Sequence, residues 1–360
     1  MNRIYTLDAL RGICATLVML RHFPIRNSIL DIPFVQNGNA FVEYFFALSG
    51  FVLAQRYFPS ADFDFRRFFK RRVKRLFPLH IFTLFLVLIT ESLKGIAVKL
   101  GYLNNVSFFS GPTSFKEFLP NLFLIHNWTN FSNHMSFNQP SWSISIELLL
   151  YVIFGVTFLP GKKQFKFCWW LILLLAITLY CSGITILHGK LSRGILSFSM
   201  GTVAFIIFQY LKKIKISIRI STLLETICIL AVYFIVSYDN FPYHRIFLNF
   251  TYFFTILVFV RQAGHVSKFM QNKYLVRVGD YSYSIYLLHS IIFIFFKFFG
   301  FALSKIFNKE FIQIIDNEKF VNMNNYFLNS FLVLVFTMII IYISKLTYER
   351  IEMVWLKRST

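Results

Sequence analysis

The chain has 360 residues, of which 56% are hydrophobic, 20% are aromatic and only 15% are charged. Soluble domains carry about 25% charged residues, so this composition excludes an ordinary soluble protein and indicates an integral membrane protein. The formal net charge of +21 does not indicate nucleic-acid binding, because the basic residues fall in short loops between apolar segments, where they encode membrane topology.

The four cysteines lie in or at the end of apolar segments, at Cys14, Cys168, Cys181 and Cys228. They form no CxxC pair and no metal-ligand spacing, so they predict no metal site and say little about the redox compartment. The basic start of the chain leads into an apolar segment without a small-residue cleavage site. The first helix is therefore expected to remain in the mature protein.

The first apolar segment carries two unusual polar groups, Arg11 and His22, eleven residues apart. On an α-helix this spacing falls about 20° short of three full turns and spans about 16 Å, so both side chains share one face. The small residues Ala15 and Val18 lie between them on that face. Polar groups within lipid are costly and are often functional, but Arg11 could equally reach the membrane surface and His22 could be an ordinary packed histidine. The spacing alone leaves both interpretations open.

Ten apolar segments are predicted to cross the bilayer, and they must be helices because open strands cannot cross lipid. They are 7–24, 39–57, 76–94, 141–159, 165–182, 194–211, 221–238, 245–261, 278–303 and 325–346. The loops at one end carry more than twice as many Lys and Arg as those at the other, which predicts that both termini are cytoplasmic. The predicted fold is thus an all-α polytopic membrane protein. The long outer loop 95–140, with His126 and His134, suits a sugar-like acceptor or is an ordinary interfacial loop.

Four polar residues from four distant segments are predicted at a similar depth in the outer half of the membrane. They are His22, Glu43, Glu147 and His289, when depth is estimated from a helical rise of about 1.5 Å per residue. One such group could be an accident, but four at matching depth predict a shared polar cavity.

A second level of polar groups is predicted at the cytoplasmic face. Arg72 and Arg75 begin the third segment there, level with Arg11. Guanidinium groups bind phosphate oxygens with two parallel hydrogen bonds, so three of them at one depth would make a phosphate site. The preceding residues 66–71 carry what looks like ordinary positive-inside charge, and for Arg72 and Arg75 both interpretations stay open at this point.

These two levels fit a phosphate-bearing thioester donor that enters the membrane from inside and meets an acceptor from outside. His22, neutral when buried, could take a proton from an acceptor hydroxyl, with a carboxylate, preferably that of Glu147, orienting the imidazole. The developing oxyanion could be faced by a polar donor. The candidates are Ser49, Ser143 and Tyr286, and the sequence does not choose among them.

Five sequence blocks resemble the membrane-bound acyltransferase-3 family, whose members O-acylate envelope polysaccharides. LDALRG with the following His22 is similar to that family's opening LDGLRG and its Arg-x10-His motif. FVEYFFALSGF, RRVKRLFPLH, PSWSISIELLLY and GDYSYSIYLLH are similar to four further blocks of the family, in the same order. The resemblance spans residues 7 to about 290 and also agrees with ten helices.

The resemblance implies an enzyme of the inner membrane that transfers an acyl group, usually acetyl, from cytoplasmic acyl-CoA to a hydroxyl of a cell-envelope or extracellular polysaccharide. It implies acyl-CoA as donor substrate and no permanently bound cofactor. Arg11 and His22 would be essential, followed by Arg72, Arg75 and Glu147. The motif residues expected around the cavity and substrate are Glu43, Ser49, Trp142, Ser143, Tyr286 and His289.

The chain departs from the family pattern at several positions. Glu43 replaces an Asp, Ala9 replaces a Gly, and Leu149 or Leu150 replaces an aromatic residue, which puts the role of Glu43 in doubt. We expect one transmembrane acyltransferase domain over 1–360 without a soluble hydrolase-like domain, since no Gly-Asp-Ser block is present. Any second transfer step would then need a partner protein of envelope biosynthesis or direct entry of the acceptor.

Three other functions compete with acyl transfer. A transporter or flippase of an acyl or glycolipid substrate would also place polar residues at mid-membrane, although no inverted repeat or pair of broken helices is evident. A polysaccharide polymerase would normally need a larger outer loop than 95–140. A structural or sensory protein would leave the polar groups unexplained. The acceptor, the length of the acyl group and the oligomeric state are not given by the sequence.

Overall fold

The computed structural model describes residues 3–59, 62–101, 107–183, 188–315 and 318–357. Ten helices of 16 or more residues occupy the ten predicted positions within these ranges. They are α1 (Tyr5–Arg21), α3 (Phe41–Tyr57), α4 (Phe65–Lys99), α6 (Ser141–Phe158), α7 (Lys162–Ser182), α8 (Gly189–Leu211), α9 (Ile218–Ser237), α10 (His244–Phe259), α12 (Lys273–Phe307) and α13 (Tyr326–Thr347). Shorter helical elements connect them: α2 (Pro33–Gln36), α5 (Phe118–Leu122), α11 (His265–Met270), α14 (Met353–Lys357), the 3-10 turns Gly38–Ala40, Gly111–Thr113 and Phe115–Glu117, and a π turn at Tyr348–Glu352.

The fold confirms the prediction of a helical polytopic membrane protein. In the described ranges, seven helices are long and apolar enough to cross a bilayer, and α10 is a shorter apolar helix. Helices α1 and α3 are not among these seven, since each is only 17 residues long and carries charged residues. The number of ten spans and the cytoplasmic position of both termini stay predictions.

Helix α4 begins earlier than predicted, at Phe65 instead of residue 76. The Asp64 side chain caps it by accepting a hydrogen bond from the backbone N–H of Arg67 at 3.1 Å, which satisfies one of the free donors of the first turn. Arg72 and Arg75 therefore do not begin the helix. They lie about 10 and 15 Å along it, within the bundle.

Helix α1 ends at Arg21, and His22 is its C-cap residue with its backbone N–H bonded to Met19 O at 3.0 Å. Pro24 stops further helix, because the residue before a proline is disfavoured in the helical conformation. Near its middle, α1 lies against α12 through Gly12 and Gly279. A Cβ on Gly12 would lie 2.6 Å from the backbone N of Gly279, so this close helix contact requires glycine.

A short antiparallel hairpin of β1 (Ile312–Ile315) and β2 (Glu318–Val321) departs from the all-α prediction. Its register pairs Ile312 with Val321. The backbone N–H of Val321 donates to Pro24 O at 2.8 Å. The hairpin is thereby fixed beside the C-terminal end of α1, next to His22.

The loop between α4 and α6 folds back onto the helices; residues 102–106 of it lie outside the described part. Asn121 is buried and donates to Ser136 O at 2.8 Å. His126 is also buried, and its Nε2 lies 3.3 Å from Ser141 Oγ. Burial lowers the pKa of His126 to about 3, so this imidazole is neutral at physiological pH. The loop is thus a packed structural element.

Candidate active site

A narrow cavity of about 120 Å3 lies among α1, α3, α4, α6 and α12. We call it the arginine cavity, because the guanidinium groups predicted to bind phosphate all line it: Arg11, Arg72 and Arg75. Its other polar lining residues are Ser49, Ser143, Glu147, Tyr151, Ser282, Tyr283 and Tyr286. The structure therefore brings together three arginines from two helices that are distant in the sequence.

The three arginines differ in how the protein holds them. Arg11 is fixed to α12, since its Nη2 donates to Gly279 O at 3.0 Å and its Nε to Ser282 Oγ at 3.1 Å. It also pairs with Asp8 at 3.2 Å. Arg72 lies over the Tyr151 ring, 5.8 Å from the ring centre. Among the described residues, neither Arg72 nor Arg75 has a carboxylate at ion-pair distance.

Glu147 belongs to the arginine cavity. Its carboxylate accepts hydrogen bonds from Ser49 Oγ at 2.6 Å and from the hydroxyl of Tyr151. Tyr151 follows Glu147 by four residues, one helical turn, so the two side chains share a face of α6. This tyrosine was missed as a site residue by the sequence analysis, although its spacing from Glu147 was the available signal.

A second, wider cavity of about 830 Å3 is lined by His22 and His289, and we call it the histidine cavity. The two imidazole rings are stacked, with centroids 5.6 Å apart and planes inclined by 20°. Nδ1 of His289 lies 3.3 Å from Ile285 O. Trp142 also lines this cavity. The two motif histidines, His22 at the end of α1 and His289 on α12, are therefore direct neighbours.

The two cavities share a wall. Val42 and Tyr286 line both of them. The hydroxyl of Ser143, which lines the arginine cavity, lies 2.9 Å from the hydroxyl of Tyr286. Arg11, on α1, thus lines the arginine cavity, whereas His22, the residue that follows α1, lines the histidine cavity.

Glu43 lines neither cavity. It is 1% exposed, and its Oε1 accepts from Arg193 Nε at 2.5 Å and from Arg245 Nη1 at 2.7 Å. The two arginines come from α8 and α10. Glu43 therefore joins three helices, α3, α8 and α10, as a buried ion-pair centre.

The expectation that His22, Glu43, Glu147 and His289 line one cavity is wrong. The histidines line one cavity, Glu147 lines the other, and Glu43 lies apart. Helical rise fixes the height of a residue along its own helix but gives neither the tilt of that helix nor the direction of the side chain. Because α4 begins early, Arg72 and Arg75 lie farther along this helix than predicted, and they line the same cavity as Glu147.

Comparison with known proteins finds a matching family and several relatives. The acyltransferase-3 family, described as an acyltransferase domain, matches residues 4–347. O-acetyltransferase OatA of Staphylococcus aureus is 26% identical over 322 residues, covering 80% of this chain and 50% of the relative. Acyltransferase MdmB of Streptomyces mycarofaciens is 28% identical over 189 residues, covering 50% of this chain and 46% of the relative.

The chain spans about half the length of the curated relatives it matches. No solved structure gives a significant match. The family match covers nearly the whole chain, including both cavities and the helices that form them. The chain belongs to the acyltransferase-3 family of membrane acyltransferases.

Proposed function

We propose that the chain transfers an acyl group, most simply acetyl, from acyl-CoA to a hydroxyl of a cell-envelope or extracellular polysaccharide. The observation that carries this proposal is the shared wall of Val42 and Tyr286 between a cavity lined by arginines and one lined by histidines. A donor that enters one cavity and an acceptor that enters the other would meet at this wall.

The arginine cavity suits the donor. Arg72 and Arg75 lack an ion-pair partner among the described residues, so their guanidinium groups are available to phosphate oxygens. The volume of about 120 Å3 is smaller than the roughly 300–1,000 Å3 of a typical ligand site. Only the thioester arm would therefore pass beyond the arginines, and the phosphate-bearing nucleotide part of acyl-CoA would remain at the entrance beside them.

The histidine cavity suits the acceptor. Its volume of about 830 Å3 lies within the range of ligand sites that enclose a molecule of drug size. His22 would take the proton of the acceptor hydroxyl as the oxygen bonds to the thioester carbonyl carbon. The tetrahedral intermediate would then expel the sulfur of CoA. The imidazolium of His22 would return the proton to the thiolate, so that the products are an ester and CoA thiol.

The remaining polar groups have separate roles in this proposal. Tyr286 and Ser143, bonded to each other at the shared wall, would face the oxyanion of the intermediate. Ser49 is bonded to Glu147, which makes it the weaker candidate for that role. Glu147 would act on the donor side, where it holds Tyr151 beside Arg72. His289, stacked on His22, would orient the base.

The similarity to OatA, named an O-acetyltransferase, supports acetyl transfer to oxygen. We propose a single transmembrane domain in the inner membrane, with both termini cytoplasmic, acyl-CoA as donor and a polysaccharide as acceptor. Transfer into that acceptor would then follow directly in the histidine cavity or with a partner protein of envelope biosynthesis.

The proposal is tested by replacing the base. His22→Ala is expected to lower acetylation of envelope glycan by about 10²–10⁴-fold, the usual contribution of a general base, at unchanged protein level in the membrane. The matched control is His265→Ala, because His265 is an exposed histidine that lines neither cavity. Undiminished acetylation in the His22 variant would contradict the proposal, as would an equal loss in the control.

A further inference from the structure

The histidine cavity is surrounded by positive charge. Six cationic side chains line it, from five different parts of the chain: Arg21, Arg26, Lys190, Arg193, Lys297 and Lys319. No Asp or Glu is found among the described residues that line this cavity. Among these cations, Arg193 is paired with Glu43, which lies behind the lining.

The contacts of two of these cations are made to neutral groups. Nζ of Lys190 lies 2.7 Å from the sulfur of Met135 and 5.3 Å from the centre of the Trp142 ring. Arg26 donates to the amide oxygen of Gln36 at 3.2 Å and lies 4.4 Å from the centre of the Phe320 ring. These contacts position the two side chains, and among the described residues neither has a carboxylate at ion-pair distance.

Several of these cations come from the end of the predicted topology at which few Lys and Arg are expected. Positive charge is scarce in outer loops of membrane proteins, and the loops predicted to be outer are the poorer in Lys and Arg here. Even so, four of their basic residues converge on one cavity. They are Arg26, Lys190, Arg193 and Lys319. Like charges gathered around a cavity repel one another and raise the local concentration of anions.

We propose that the acceptor of this cavity is an acidic saccharide, one that carries carboxylate or phosphate groups. This inference rests on the proposed function, since it names the class of acceptor for the same site. Trp142 offers a ring face, and Asn39, Gln139 and Ser290 offer hydrogen-bonding groups in the same lining, which suits a sugar better than a lipid headgroup alone. The acid groups would pair with the Lys and Arg side chains, and a neighbouring hydroxyl would face His22.

Binding to the purified full-length chain in detergent tests the inference by calorimetry. The probes are trigalacturonic acid and glucose 6-phosphate, each compared with its neutral counterpart, galactotriose or glucose. At low salt each acid is expected to bind at least about tenfold more tightly than its neutral counterpart, and the difference should shrink as salt screens the charges.

Variants localise the effect to the cavity. Lys190→Gln and Arg26→Gln are each expected to weaken binding of the acids by about tenfold, with little change for the neutral sugars. Lys309→Gln is the matched control, because Lys309 is an exposed lysine in a predicted outer loop and does not line the cavity. Equal affinity for acidic and neutral sugars would overturn the inference, and so would an equal effect of the control.

Two further measurements separate this inference from the proposed function. Binding of phosphatidylglycerol, supplied in nanodiscs, while neither acidic sugar binds would identify a lipid headgroup as the occupant and overturn the saccharide. Acetyl transfer from acetyl-CoA is followed on the same preparations. Transfer to neutral glycans alone would retain the proposed function and overturn the acidic acceptor. Tight acid binding at the variant residues without any transfer would support the anion site and contradict the proposed function.

Discussion

The arginine cavity and the histidine cavity are both cationic, yet they differ in volume and in how their charge is balanced. The arginine cavity, at about 120 Å3, includes the carboxylate of Glu147 and several hydroxyl groups in its lining. The histidine cavity, at about 830 Å3, is lined by six Lys and Arg side chains without a carboxylate among its described lining residues. In the proposed function, the narrow cavity would take one defined chemical arm, whereas the wide one would take a class of acidic molecules.

The two cavities also differ in how firmly the protein holds their cationic side chains. Arg11 in the narrow cavity is bonded to the backbone of α12 at Gly279 and paired with Asp8. Since this arginine is fixed by the protein, it can orient a ligand at little cost in side-chain entropy. The charged ends of Lys190 and Arg26 in the wide cavity contact other side chains, including the Trp142 and Phe320 rings, so they can shift when those side chains change rotamer. We infer that specificity for the donor is built more tightly than specificity for the acceptor.

The largest expected effect on stability comes from the ion-pair centre behind the histidine cavity. Glu43→Gln leaves Arg193 and Arg245 without their shared carboxylate, which costs roughly 3–5 kcal/mol for a buried pair. We expect the lower end of that range, because the two arginine side chains remain 22% and 32% exposed. Thermal unfolding in detergent measures the loss.

Glu310→Gln is the control for that experiment, because Glu310 is an exposed glutamate. If Glu43→Gln unfolds at the same temperature as the unmodified chain, the carboxylate is not the structural centre described here. Retained stability with lost activity would instead place Glu43 in the chemistry.

A smaller effect is expected in the arginine cavity. Arg72→Ala and Arg75→Ala should each raise the Kd for acetyl-CoA by about 10–100-fold, since a hydrogen bond to a charged group contributes about 1.5–3 kcal/mol. Acceptor binding should change little, because these arginines do not line the histidine cavity. The control is Arg67→Ala, an exposed arginine on the first turn of the same helix. A Kd unchanged from that of the control would remove the two arginines from the donor site.

Much of this architecture could be predicted from the sequence. The ten helices follow from apolar runs long enough to cross a bilayer. That Arg11 and His22 share one face stays a prediction. The motif series led to the family that the comparison confirms. These are local patterns, in which the distance along the chain fixes the distance in space.

The remainder depends on contacts between distant segments. Nothing in the sequence near Glu43 indicates that Arg193 and Arg245 would meet it, because the three residues lie on separate helices. The position of the hairpin depends on the hydrogen bond from the backbone N–H of Val321, in β2, to Pro24 O, and these two residues lie nearly a whole chain length apart in the sequence. The division into two cavities depends on side-chain directions that helical rise does not give.

The central claim is that an acyl group passes from the arginine cavity to the histidine cavity, and sidedness tests it most directly. Protein of one orientation is reconstituted in sealed proteoliposomes, with labelled acetyl-CoA on the side of Arg72 and Arg75 and an acidic oligosaccharide on the other. The account predicts that O-acetyl ester accumulates in the oligosaccharide compartment and that CoA thiol stays with the donor. Ester formed only when donor and acceptor share one compartment would contradict it.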